Sequence, residues 1–551
     1  MRMTAILAVF VLLASCQPEV QYDIVLKNGI IYDGNGGSPF SADIGINGDT
    51  IATIAETGAL SGTEVVDVNG LAVAPGFINM LSWANVSLLE DGRSQSDIRQ
   101  GVTLEVMGEG RSMGPLSADM KQEMLNNQGD IKFDVPWMTL GEYLQYLEDK
   151  GVSTNVTSFV GNGTLRRHVI GYENRPATAE ELEKMKQLTA QAMEEGAVGI
   201  SSSLLYAPSM YASTEELIEL AKVSGEHNGM YISHIRNEGD QLLESLDELI
   251  HIGKEADVRA EVYHLKASAK HNWNKLDVAI EKIDSARNAG LDITADIYTY
   301  NASSTGLHVQ LPDWAREGGI AAMLERLADP ANRKKAIGEL EFRNAPETIL
   351  LVGFRTGKLR KYIGKYLPEV AQELGKSVEE TLVDLIVEDG SRIQVVYFSM
   401  SEDNIKKKLA QPWVSICSDA GSYTNEGVFV KQSTHPRAYG SFIRVLGKFA
   451  RDEGVISLEE GIRRMTSLPA ENLKLIDRGR LAEGYFADIV VFDPKKVNDK
   501  ATFTDPHQYA EGVVHVFVNG GHVLKDGEHT GATPGRFVKG PGYIEKKNDK
   551  P

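Results

Sequence analysis

Only 2 cysteines occur in 551 residues, Cys16 and Cys417. They lie far apart, so the chain has neither a disulfide framework nor a cysteine pair at the short spacing of zinc ribbons and fingers. Positive charge is also scarce. Against 77 Asp and Glu stand 57 Lys and Arg, a formal net charge of −20, which argues against nucleic acid as a partner and against adsorption on anionic lipid. Such acidity serves solubility and says little about a substrate. Low-complexity tracts are missing, and a hydrophobic content of 42 % is that of a globular protein.

The apolar run Ala5 to Leu13 is too short to span a bilayer. With Arg2 before it, it reads as the core of a targeting segment over residues 1–15. It leads into Leu13-Ala14-Ser15-Cys16, which looks like a bacterial lipobox with Cys16 as the lipidated N-terminus. An ordinary secretory signal with an incidental cysteine is the alternative. Gln17, in place of Asp, resembles lipoproteins released to the outer membrane of double-membraned bacteria. The expectation is an exported protein at the periplasmic face of that membrane, touching it through the lipid anchor alone.

The length suits a large barrel with an attached domain. Residues 21–72 read as short strands: Tyr22-Asp-Ile-Val-Leu-Lys-Asn-Gly-Ile-Ile-Tyr alternates apolar and polar and ends in a Gly-rich turn. Residues 476–540 read the same way, with an Asn519-Gly520 hairpin signal. Strand-rich ends predict a β-sandwich built from both termini. In between, apolar strands near 73–81, 101–108, 155–161, 197–203, 230–235, 260–265, 291–298 and 413–419 alternate with helical stretches such as Thr178 to Glu195 and Ser213 to His227. Spacings of about 30 residues match successive βαβ units. Eight such strands predict an α/β protein with a (β/α)8 TIM-like barrel over residues 73–475. The long gap at about 299–411 predicts an insertion near the active site.

In a barrel the C-terminal strand ends converge on one pocket. The fifth strand ends in Tyr231-Ile-Ser-His234, the sixth in Glu261-Val-Tyr-His264-Leu-Lys266, and the eighth in Ile416-Cys-Ser-Asp419. Two neutral imidazoles suit a zinc ion, and a nearby carboxylate suits the proton of an attacking water. A lone histidine there is more often a hydrogen-bonded core residue, but two on consecutive strands with a strand-eight Asp rarely coincide by chance.

These residues belong to a longer series: Ser233-His-Ile-Arg-Asn-Glu-Gly, His264-Leu-Lys, Ser418-Asp419, His435-Pro-Arg-Ala-Tyr-Gly, Met465-Thr-Ser-Leu-Pro-Ala-Glu-Asn and Asp477-Arg-Gly-Arg-Leu-Ala-Glu-Gly-Tyr-Phe-Ala-Asp. The series resembles the D-aminoacylase (N-acyl-D-amino-acid deacylase) branch of the amidohydrolase superfamily from Tyr22 to Val538. That resemblance implies zinc held by His234 and His264, with Asp419 as the catalytic base. It places Lys266, Tyr298, Ser304 and Arg437 where the family handles substrate, Arg437 in a geometry that pairs a carboxylate in a fork. Each of these four also has a plain structural reading, as a rim ion pair or packing. The third ligand is expected at Glu109, in Gly108-Glu109-Gly110, where the family usually has Gly-Asn-Cys-Gly; Glu105 is the rival ligand, and pairing of Glu109 with Arg111 the alternative role.

Two departures stand out. The stretch Leu71-Ala-Val-Ala-Pro-Gly-Phe-Ile-Asn-Met-Leu-Ser-Trp83 resembles the family's first barrel strand, yet the His-x-His metal pair is replaced by Leu81 and Trp83. Neither ligates a metal through a side-chain lone pair, so one zinc ion per chain is expected. Asn162 stands where relatives often have histidine. The resemblance implies hydrolysis of the amide of a small N-acylated amino acid or dipeptide-like molecule. A lactonase or cyclic amidase, and a metal-free ligand-binding lipoprotein, are the rivals. The acyl group, the chirality and the oligomeric state are not legible in the sequence.

Overall fold

The computed structural model describes residues 21–545. The expected targeting segment and Cys16 lie outside the described residues. No helix among the described residues is long and apolar enough to cross a membrane.

Eight parallel strands form the barrel: Phe77–Asn79, Val102–Met107, a third split into Asn155–Ser158 and Val160–Gly161, Gly199–Ser203, Met230–His234, Ala260–Val262, Ile293–Ile297 and Val414–Ile416. The circle shuts between first and eighth strands, where the Met80 amide donates to the Ile416 carbonyl (3.3 Å) and the Asp419 amide to the Leu81 carbonyl (2.9 Å). Helices Ala179–Glu194, Thr214–Glu226, Leu242–Ala256 and Lys275–Asn288 cover the outside. Thr178 and Glu181 cap the first of these reciprocally, and Ser213 caps the second.

The expected strand at 73–81 is two strands. Ala72–Pro75 pairs antiparallel with Ile489–Phe492 in the terminal sheet, and Phe77 opens the barrel. Gly76 makes the transfer. A Cβ there would lie 2.1 Å from Thr103 Oγ1, so only glycine lets the two sheets approach this closely.

Both chain ends share one nine-stranded sheet. It is a single hydrogen-bonded sheet that folds back on itself around a core including Leu26, Ile44, Val73, Ile489 and Phe517. The Ile51 amide donates to the Tyr485 carbonyl and the Ala487 amide to the Asp49 carbonyl, each at 2.8 Å, which brings one end of the strand order back onto its middle. The expected hairpin joins Val513–Val518 to Gly521–Lys525, with Asn519 and Gly520 both at positive φ. Beyond it the C-terminal tail runs under the barrel: the Val538 amide donates to the Val156 carbonyl and the Gly540 amide to the Gly196 carbonyl, each at 2.9 Å.

The insertion is a small unit of its own. Strands Ser303–Gly306, Gln394–Tyr397 and Ile349–Gly353 form an antiparallel sheet backed by helices such as Gly319–Ala328 and Val378–Asp389, over a separate core.

Carboxyls are buried on both faces of the barrel wall, Asp97 and Glu105 on the outer face and Glu261 on the inner one. Asp97 and Glu105 share Asn79, whose Nδ2 is 3.5 Å from Asp97 Oδ1 and 3.1 Å from Glu105 Oε2. Burial pushes Asp97 up to about 7. Burial, then the charge of Asp296, pushes Glu261 up to about 8. Their folded pKa values exceed the unfolded carboxyl value of about 4.3. The native state therefore holds protons that the unfolded chain has released, and this contribution to stability falls as pH rises from about 5 to 8. Glu261→Gln should reduce that slope when Tm is followed by calorimetry from pH 5.5 to 8 in paired samples of the two proteins. Identical slopes would mean that Glu261 is ionised in the native protein.

Candidate metal centre and active site

Glu109 is presented by a turn pressed into the barrel wall. It follows the second strand and is flanked by Gly108 at φ +102° and Gly110 at φ +59°. A Cβ at Gly108 would sit 2.3 Å from the Phe159 carbonyl oxygen, and one at Gly110 2.4 Å from Ser203 Cβ. The glycines let the backbone approach the third and fourth strands, so the intervening carboxylate reaches inward. His234 ends the fifth strand, and His264 lies just past the sixth. His264 has φ +38° and Asp419, just past the eighth strand, φ +48°, a region costly for residues other than glycine. Hydrogen bonds hold both: His264 N to Asp296 Oδ1 at 2.8 Å and Asp419 N to the Leu81 carbonyl at 2.9 Å.

Glu109, His234 and His264 are the one group of three or more His, Cys, Asp or Glu side chains among the described residues placed to hold a metal ion. Glu109 Oε1, His234 Nδ1 and His264 Nε2 lie 3.0 Å from one another on every edge. Hydrogen bonds cannot satisfy all three edges with both histidines in one state. Two ring protons would oppose each other on the nitrogen–nitrogen edge, and two bare nitrogens would oppose lone pairs. A cation facing three lone pairs resolves the conflict. Bonds of about 2.0–2.1 Å to a tetrahedral zinc put ligand atoms roughly 3.3 Å apart, so the donor set and its spacing fit the ion. The Glu109 carboxylate is held below the usual range: burial opposes this, but hydrogen bonds from His234 and His264 prevail.

Behind His264 stands Glu238, whose Oε1 is 3.0 Å from His264 Nδ1. Lys266 Nζ bonds the same Oε1 and lies 2.7 Å from His264 Nδ1. A carboxylate on the far ring nitrogen fixes the tautomer that offers Nε2 to a metal. Burial and Lys266 press His264 down, yet Glu238 and Glu109 outweigh them and lift it to about 10.

Asp419 is buried beside this group. Its Oδ2 is 2.7 Å from Arg437 Nη1, and its Oδ1 accepts from the Trp83 indole N–H at 3.2 Å. The same N–H donates to Glu109 Oε2 at 3.0 Å. Burial raises the Asp419 pKa, Arg437 and His264 lower it, Glu109 raises it, and the net shift is upward.

The other expected residues divide. Arg437 is buried and lies over the Tyr298 ring, 4.5 Å from the centroid, with Lys266 Nζ 5.9 Å from it. The Tyr298 hydroxyl points to Met400 Sδ at 3.3 Å, so the ring face and not the hydroxyl adjoins the charged groups. The Ser304 hydroxyl donates to the Val395 carbonyl and accepts from Gln394, each at 2.8 Å. It stabilises the insertion's sheet, and its carbonyl lies 3.5 Å from Arg437 Nη2. Asn162 is fully buried, and its side chain bonds Ser209 and Glu216. Glu105 is tied to Asn79, and Arg111 donates to the Ala207 carbonyl; neither takes the role its alternative reading assigned. Glu238 and the Trp83 indole N–H were missed. Glu238 stood inside the His234 motif, four residues on, the one signal that pointed to it.

An eight-stranded barrel with a buried Glu-His-His group and an aspartate at its C-terminal end defines a metal-dependent hydrolase. Comparisons narrow the class. The amidohydrolase family model matches residues 427–524. A D-aminoacylase of Alcaligenes xylosoxydans xylosoxydans is 34% identical over 526 residues, 94% of this chain and 97% of the relative. A crystal structure of an N-acyl-D-glutamate deacylase from Bordetella bronchiseptica, complexed with zinc and a phosphonate mimic of the tetrahedral intermediate, superposes with a TM-score of 0.80 at 29% identity, covering 94% of this chain and 100% of that one. A D-aminoacylase structure, described as a binuclear centre with one-metal activation and second-metal attenuation, matches with a TM-score of 0.78 at 32% identity and the same coverage, 94% and 100%. The chain belongs to the amidohydrolase superfamily, in its D-aminoacylase branch.

Glu238→Gln should leave the fold intact but weaken zinc binding by about 10–100-fold, the usual effect of losing the carboxylate behind a ligating histidine. Zinc competition against a chromogenic chelator measures it. Unchanged affinity would reduce Glu238 to a partner of Lys266.

Proposed function

We propose that the protein is a zinc-dependent deacylase that hydrolyses the amide bond of a small N-acyl-D-amino acid. The observation that carries this reading is the buried triangle of Glu109, His234 and His264 with Asp419 and Arg437 beside it. The named activities of the relatives support the substrate class and its D configuration.

Zinc, when bound by Glu109, His234 and His264, supplies the Lewis acid that polarises the amide carbonyl and makes the attacking water more acidic. Asp419 takes the proton of that water and passes it to the leaving amine. Its pKa, raised by burial, suits a group that must both accept and return a proton. Arg437 positions the substrate carboxylate. Its Nη1 is paired with Asp419, but its Nε lacks a hydrogen-bond partner although the residue is buried, and a buried donor of this kind holds out for a ligand. Lys266 adds positive charge on the same side, and the Tyr298 ring carries the guanidinium. Ser304 acts through the Arg437 side chain it adjoins.

The reading includes one ion per chain. Leu81 is fully buried in the apolar core, and Trp83 presents a proton and no lone pair to the carboxylates. It further includes export and lipidation at Cys16, supported by the Leu13-Ala14-Ser15-Cys16 sequence.

Metal analysis of the purified protein should give close to one zinc per chain. At fixed free zinc, Glu109→Ala should empty the site while Glu105→Ala leaves it filled; the reverse result would move the ligand to Glu105. A panel of N-acyl-D- and N-acyl-L-amino acids, with lactones and cyclic amides as controls, identifies the substrate. On the best of these, Asp419→Asn should keep zinc and lose about 10²–10⁴-fold in kcat, the range expected for a general base. Full turnover by that variant would make Asp419 structural.

A further inference from the structure

Trp83 occupies the mouth of the site under tight backbone control. Its amide donates to the Ala420 carbonyl at 2.9 Å, and the preceding Ser82 amide donates to the Val106 carbonyl at 2.8 Å. The residue is thus clamped between the second and eighth strands. The residue is 38% exposed, but its indole nitrogen is turned inward, 3.0 Å from Glu109 Oε2 and 3.2 Å from Asp419 Oδ1. One N–H is therefore shared by the proposed ligand and the proposed base.

The geometry points to Trp83 as a positioning residue that does with a neutral N–H what a second cation would do between these two carboxylates. This inference rests on the one-ion reading above. Two carboxylates that face a common point repel, and something positive must lie between them. A divalent ion would do so by taking a lone pair from each, which leaves the Asp419 oxygen coordinated and a poor acceptor for a proton. The indole N–H carries only a partial positive charge, is donor-only, and does not titrate in the working pH range. It orients Asp419 Oδ1 while Arg437 holds Oδ2, and it leaves the carboxylate negative enough to act as a base. The same bond holds Glu109 Oε2 aside, so that Oε1 faces the two histidines. The indole also fills the space with an atom that cannot ligate, so added zinc finds no second seat. A site of this design is locked in a one-ion state by a side chain and needs no control of metal supply.

The test uses full-length zinc-loaded protein. Trp83→Phe keeps the ring and removes the N–H. Its kcat should fall by about 10-fold or more, the scale of a lost hydrogen bond to a charged group, while KM changes less than about twofold and zinc content stays at the wild-type level. Trp83→His should take up a second zinc under conditions where the wild type holds one, since a histidine nitrogen joins Glu109 Oε2 and Asp419 Oδ1. A readout independent of turnover comes from indole ¹⁵N labelling, because the chain has only 5 tryptophans. The Trp83 resonance, identified by its loss in Trp83→Phe, should exchange slowly with solvent and shift in Asp419→Asn. Two ions bound tightly to the wild type would overturn the one-ion reading itself. One ion in the wild type, together with full kcat in Trp83→Phe or an indole resonance indifferent to Asp419→Asn, would overturn the role of Trp83 alone.

Discussion

Closure of the barrel between its first and eighth strands is the constraint on which the site depends. The hydrogen bond from the Asp419 amide to the Leu81 carbonyl, and that from the Trp83 amide to the Ala420 carbonyl, cross the same seam. They fix the aspartate and the indole relative to each other before any side-chain contact is considered. Asn79 tightens the seam from below, its Oδ1 accepting from the Ser418 amide at 2.8 Å and its Nδ2 donating to Ser418 Oγ at 2.8 Å. The left-handed backbone at Asp419 persists because these bonds leave it no alternative.

Around that seam the barrel concentrates like charge. Glu105 and Asp97 lie against the outer face of the first two strands, Glu261 and Asp296 on the sixth and seventh strands, and Glu109, Glu238 and Asp419 at the mouth. The molecule treats these groups in two ways. Glu238, beside Lys266 and the two histidines, stays ionised. Those surrounded by neutral donors, such as Asp97 and Glu261, are pushed toward the protonated form by burial. Charge at the mouth is thereby available for chemistry, while the carboxyls buried in the barrel wall are close to neutral.

Much of this was legible in the sequence. The strand ends carrying His234, His264 and Asp419 were readable because period and spacing fixed the barrel, and a barrel fixes where its strand ends point. Glu109 was readable only through the family resemblance, which puts a cysteine ligand at the position of the neighbouring Gly110. What the sequence hid was direction. Ser304 was expected at the substrate, but its hydroxyl is consumed by Val395 and Gln394, partners some 90 residues away in the chain. Trp83 read only as a residue that cannot ligate a metal, because a pattern of residue types does not tell which edge of an indole faces inward. The strand at 73–81 read as continuous, since the change of sheet at Gly76 depends on how close Thr103 comes.

The C-terminal tail pairs with Val156 and Gly196 beneath the third and fourth strands, and the terminal sheet needs strands from both ends of the chain. Nearly the whole polypeptide must therefore leave the ribosome before the barrel floor and the sheet that braces it can form. The waiting chain exposes apolar strands for that time, and contacts so distant in sequence form slowly. The native structure thus acts as a check on completeness, since a chain that stops before its last strands never acquires the floor on which its catalytic strands stand.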